Sequence, residues 1–137
     1  MLAVDDAPGD RLTRPVPDVR ARATAAARAA VEKQGAEIVV LDVGEIISIT
    51  EAFVIVSANN TRQVRTIVEE IEASLKRDAG PGPRAVEGLD DASWVLMDYG
   101  DFIVHVFLQE TRDYYDLEHL WAGAPRVAWR RDVENTG

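Results

Sequence analysis

Asp98, Asp101 and His105 are the residues whose types and spacing come closest to a reaction centre. They lie across a turn marked by Gly100, and two carboxylates with an imidazole could hold a divalent ion for nucleotidyl transfer or phosphoester hydrolysis. The same spacing has a structural reading, because Asp beside Gly is favoured in tight turns, where its carboxylate accepts from nearby backbone amides. Little else in the chain would enlarge such a centre. With no cysteine and two histidines, thiol chemistry, disulfides and cysteine-based zinc sites are excluded, and His119 is the only other imidazole. His119, in Leu117-Glu118-His119-Leu120, reads as the solvated side of a short helix. Ser48 and Ser57 lack a base, and the chain has no phosphate loop, dinucleotide fingerprint or nucleophile elbow. A metal-dependent nucleotidyltransferase or phosphoesterase using Asp98, Asp101 and His105 is therefore the alternative reading. No metal and no cofactor is expected.

The same region offers a surface. Trp94 to Tyr99 and Phe102 to Leu108 read as a hairpin around Gly100, and alternation across the strands divides it into two faces. Val95, Met97, Tyr99, Phe102, Val104 and Val106 form one face, which reads as core. Trp94, Leu96, Asp98, Ile103, His105 and Phe107 form the other. Covered by helices, this second face must bury hydrogen-bonded Asp98 and His105; left open, it is an aromatic patch with a polar rim, the usual make-up of a protein-protein hot spot.

The elements that hold this hairpin follow from local signals. Asp18 caps an alanine-rich helix with Val19, Ala23, Ala26, Ala27, Ala30 and Val31 on its stripe, stopped by Gly35. Ile38-Val39-Val40-Leu41 and Phe53-Val54-Ile55-Val56 read as buried strands. Asn60 and Gln63 resemble a capping box ahead of a helix carrying Val64, Ile67, Val68, Ile71 and Leu75. Arg62, Arg65, Lys76 and Arg77 on that helix alternate with Glu69, Glu70 and Glu72, which describes a solvated face. Gly80-Pro81-Gly82-Pro83 breaks the chain, and Arg84 to Glu87 suits a short edge strand. Tyr114, Leu117, Leu120 and Trp121 suggest one or two short helices, after which Val127-Ala128-Trp129 packs back on the body. The order of elements predicts a mixed α/β sheet flanked by helices.

At 137 residues the chain fits one domain, expected over 18–129, with flexible tails at 1–17 and 130–137. No apolar run is long enough to cross a bilayer, and the N-terminus lacks a signal-peptide pattern, so a cytoplasmic protein is expected. The formal charge is −9, and residues 35–137 alone carry −10. Such a domain repels phosphate backbones, so direct nucleic-acid binding is not expected and a basic protein is the natural complement.

Seven segments, in order and spacing, resemble the ribosomal silencing factor, or Iojap, family. They are Ile38 to Val43, Ile49 to Ile55, Thr61 to Val64, Glu87-Gly88, Trp94 to Asp101, Val104 to Phe107 and Tyr115 to Trp121. The resemblance spans about residues 20–128. It implies a mixed five-stranded sheet with helices, similar to a nucleotidyltransferase core without its catalytic residues. It further implies a non-enzymatic protein that binds ribosomal protein L-fourteen on the large subunit, blocks joining of the small subunit and represses translation. The hairpin face, if open, gives a further reading of its own, a homodimer in which that face pairs with a second copy until the partner binds. Carried onto this sequence, the partner-binding residues are Trp94, Asp98, Tyr99, Gly100, Asp101 and His105, with Tyr115, Asp116 and Leu117. Two departures from the family pattern are Glu51 after Thr50, where Asp is usual, and Ser57-Ala58-Asn59-Asn60 in place of Ser-Gly-x-Ser.

Overall fold

Asp18 opens the first helix as its position predicts: its carboxylate accepts from the Ala21 amide at 2.8 Å, and α1 runs Val19–Glu32. The structure, a computed structural model, describes residues 18–78 and 80–130. The expected tails at 1–17 and 130–137 lie outside the described residues, apart from Arg130. Ala23, Ala26, Ala27 and Ala30 are buried, whereas Val31, expected on the same stripe, is 42% exposed. The buried side of α1 is thus built of methyl groups, which lets its backbone lie close to its neighbours.

The end of α1 corrects the expected role of Gly35. The left-handed residue is Gln34, at φ 65°. The Gly35 amide donates to Ala30 O at 2.8 Å and the Gln34 amide to Val31 O at 2.9 Å, the paired bonds of a Schellman ending. Gly35 is required for space instead: a Cβ there would stand 2.7 Å from Val56 Cγ1 and 3.1 Å from Ala30 O.

Two strands follow, β1 (Ala36–Asp42) and β2 (Ala52–Ala58), the latter buried throughout. The second helix, α2 (Thr61–Arg77), buries Val64, Ile67, Val68, Ile71 and Leu75, the five residues its periodicity singles out. Asn60 Oδ1 accepts from the Gln63 amide at 2.8 Å, but Gln63 Oε1 reaches back to the Asn59 amide, at 2.7 Å, one residue earlier than in a standard capping box. Gln63 Nε2 also donates to Lys33 O and Gln34 O, tying the start of α2 to the end of α1.

Then come β3 (Ala85–Glu87), β4 (Trp94–Asp98), β5 (Phe102–Leu108), α3 (Gln109–Tyr115) and α4 (Leu117–Leu120). The five strands form one mixed sheet in the order β1-β2-β5-β4-β3. Only β2 and β5 run parallel; every other neighbouring pair is antiparallel. Helices α1 and α2 cover one side of the sheet and enclose the larger core, which includes Ile67, Ile71, Met97, Phe102 and Val106. Burying each such side chain contributes roughly 1.5–3 kcal/mol. A smaller core on the other side gathers Leu41, Val43, Phe53, Ile55 and Phe107 under Leu117, Trp121 and Ala124. The segment after α4 lies along β1, where the Asp42 amide donates to Pro125 O and the Val127 amide to Val40 O, each at 2.8 Å. Trp129 is buried there and donates from Nε1 to Ile38 O at 3.2 Å, the expected packing back of the C-terminal segment. Among the described residues no helix is long and apolar enough to cross a membrane.

Candidate functional site

The β4–β5 hairpin closes through Gly100 and Asp101, with the Tyr99 amide donating to Phe102 O at 3.0 Å and Gly100 at φ +91°. A positive φ at the first turn position matches the twist of the two strands. Asp98 Oδ1 accepts from the Gly100 amide two residues on, at 2.7 Å, the local side-chain-to-backbone bond by which Asp forms turns. The register sets Trp94 opposite Phe107, Leu96 opposite His105 and Asp98 opposite Ile103, so the alternation read from sequence is the observed one. Val95, Met97, Val104 and Val106 are fully buried on the side of α1 and α2.

The second face is covered at one end and open at the other. Phe107 and His105 are buried, whereas Trp94, Leu96, Asp98 and Ile103 are half-buried. The cover comes from the segment after β5. The Tyr115 ring lies 4.9 Å from Trp94, and Trp121 meets Phe53 edge-on at 5.4 Å. Tyr114 and Leu120 of the same segment are 81% and 71% exposed. The result is an apolar, aromatic shelf around Trp94, with Asp98 on the same face at the turn end of the strand and exposed Asp116 following Tyr115.

Trp94 itself is fixed from two directions. Its indole N–H donates to His105 Nδ1 at 3.1 Å, so the imidazole proton sits on Nε2. The His105 ring is wedged edge-on against Phe53 at 4.8 Å, and burial lowers its pKa to about 4, leaving it neutral at physiological pH. From the backbone side, Gly88 lies at φ +96°, and a Cβ there would collide with Trp94 O.

Asp98, Asp101 and His105 do not converge. Asp98 is engaged with the turn, and His105 packs among rings on the second face. Asp101 Oδ1 lies 3.7 Å from the Arg22 guanidinium on the opposite side of the sheet. Among the described residues no group of three or more His, Asp or Glu is arranged to hold a metal ion. The spacing that suggested a metal centre thus resolves into a turn carboxylate, an ion pair and a packed imidazole. Ser57 accepts from Arg112 at 2.8 Å, and His119 is exposed near Asp116, at 3.8 Å.

Tyr99 also stands apart from the shelf. It is 5% exposed, stacks on Phe102 at 4.8 Å and belongs to the α1–α2 side. Burial and the nearby Glu72 carboxylate raise its pKa to about 12, against the opposing effect of Arg22. Tyr115 and Asp116 are exposed and Leu117 half-buried, with Asp116 at φ 50° between α3 and α4.

Two residues that the sequence reading passed over organise these parts. Arg22 is 5% exposed; it donates to Pro81 O at 2.7 Å and lies 5.4 and 5.3 Å from the ring centroids of Tyr99 and Phe102. Arg112 is 4% exposed and binds both Ser57 and Glu118. An arginine inside an alanine-rich stripe was a usable signal for Arg22; nothing local marks Arg112. Of the two departures from the family pattern, Thr50 is buried beside exposed Glu51, and Asn59-Asn60 forms the cap of α2.

A family model described as ribosomal silencing factor during starvation matches residues 16–136. The chain belongs to the ribosomal silencing factor family. The ribosomal silencing factor of Bacillus subtilis is 40% identical over 100 residues, covering 73% of this chain and 84% of its own. A mouse relative named mitochondrial assembly of ribosomal large subunit protein 1 is 32% identical over 93 residues, covering 66% of this chain and 40% of that protein. A crystal structure of a Chromobacterium violaceum protein superposes with a TM-score of 0.74 at 31% identity, over 82% of this chain and 92% of that one. Membership in the ribosomal silencing factor family carries a ribosome-associated role in regulating translation, which is regulatory rather than catalytic.

Proposed function

We propose that this protein binds ribosomal protein L-fourteen on the large ribosomal subunit through the Trp94 shelf and blocks small-subunit joining. The observation that carries this reading is the half-buried Trp94, held by His105 and flanked by exposed Tyr115. A fixed aromatic anchor with a charged rim is the make-up of a binding hot spot. The net charge of −10 over residues 35–137 complements a basic ribosomal protein and disfavours bare RNA. The mouse relative, named for assembly of the mitochondrial ribosomal large subunit, points the same way. In this reading Trp94, Asp98, Tyr115, Asp116 and Leu117 contact the partner, while Asp101, paired with Arg22 on the other side of the sheet, steadies the turn. His105 and Gly100 hold Trp94 and the turn in place, and Tyr99 supports the turn from the far side.

Co-sedimentation with separated subunits, followed by a subunit-joining assay, tests the proposal. Binding to large subunits alone with reduced joining is the expected outcome. Absence from both subunits at low salt, or binding with undiminished joining, would refute it.

A further inference from the structure

Helices α3 and α4 and the Trp121 that ends them supply Tyr115, Leu117 and Trp121 to this face, yet little in the helices' own sequence holds them there. Helix α4 has four residues, far below the length at which a helix is stable alone, and neither helix has a side-chain N-cap. Asp116, which joins them, is left-handed without being glycine. What ties them to the sheet is polar and central. Arg112 Nη1 donates to Ser57 Oγ at 2.8 Å, next to the last residue of β2. Its Nε and Nη2 both meet Glu118 Oε1, at 3.0 and 2.9 Å, and Glu118 Oε2 lies 3.7 Å from Arg126 in the segment that follows. One guanidinium therefore joins β2, α3 and α4, and through Glu118 the strand-like segment on β1. A buried charge of this kind is strongly destabilising when a partner is removed, so the arrangement is nearly all-or-none.

We infer that Arg112 and Glu118 form a latch that positions the α3–α4 segment, keeps Tyr115 against Trp94, and so sets the affinity of the shelf for its partner. Arg112 is a positioning residue that never touches the partner. This inference rests on the shelf being the partner-binding face.

The test uses the full chain with Glu118→Gln, a mild change at a partly exposed position, and Arg112→Lys alongside Arg112→Gln. Amide exchange followed by NMR is expected to accelerate at least tenfold at Asp116 and Trp121 in both Gln variants, while β2 and β5 amides keep their protection. The Trp94 indole N–H resonance should shift at the same time. Large-subunit affinity should fall about tenfold in the Gln variants, with Arg112→Lys recovering part of it. Unchanged exchange at Asp116 and Trp121 would overturn the latch. Accelerated exchange with parental affinity would overturn its link to the shelf. A parent protein that fails to bind large subunits would overturn the functional reading instead, and the exchange data would still decide whether the latch holds α3 and α4.

Discussion

Trp94 and His105 share one hydrogen bond, and its consequences are readable in a titration. The unfolded imidazole titrates near 6.5 and the folded one near 4, so between these values the unfolded chain binds more protons than the folded one. Stability is therefore undiminished above about pH 6.5 and declines as pH falls towards 4, by about 3 kcal/mol in all. Urea unfolding at stepped pH should show this slope, and His105→Gln, which has no titration, should flatten it; equal slopes would count against the assignment. At the opposite extreme, Tyr99 with its pKa raised to about 12 withdraws stability as pH climbs from 10 to 12, and Tyr99→Phe removes that alkaline loss. For Trp94 the readout is binding. Trp94→Ala is expected to weaken large-subunit association about 10- to 30-fold, the range of a hot-spot truncation. Trp94→Phe should weaken it less while leaving His105 Nδ1 without its donor.

Among the elements, the junction of α1 and β1 separates two demands that glycine usually meets together. Gln34 takes the left-handed turn and Gly35 the tight approach. Gln34→Gly should raise stability by up to about 1 kcal/mol, since it relieves the left-handed strain and keeps the carbonyl that Gln63 reaches. Gly35→Ala should lower it by roughly 1–3 kcal/mol, because its Cβ would press on Val56. Equilibrium denaturation of the two variants checks both signs. This junction also marks how far local pattern reaches. The stripe of α2 and the faces of the hairpin were legible because each depends on one period within one segment. The insertion of β5 between β2 and β4 was not, since strand neighbours are chosen by the whole sheet. Nor was the half-covered state of the second face, which depends on α3 and α4, whose short, mixed sequences carry no clean period. Arg22 and Arg112 drew no notice in the sequence because their acceptors, Pro81 and Ser57, lie 59 and 55 residues away.

At the scale of the whole molecule, charge governs the approach to a partner. A domain carrying −10 over residues 35–137 should associate with a basic ribosomal surface quickly at low salt and more slowly as salt rises. Stopped-flow association with large subunits should show the on-rate dropping about tenfold or more between roughly 50 and 500 mM salt, with the off-rate changing less. An on-rate indifferent to salt would argue for an apolar encounter without steering. The layout of the sheet has a different consequence, for synthesis. The outer edge of β1 is sealed by Pro125 to Val127, whose bridge to it spans Leu41 and Arg126. During translation β1 leaves the exit tunnel long before its seal, and in that interval it is a bare strand edge able to template pairing with another nascent chain. Nascent chains on one message therefore share the same unsealed edge until the C-terminal segment is made, and the seal matters most during synthesis.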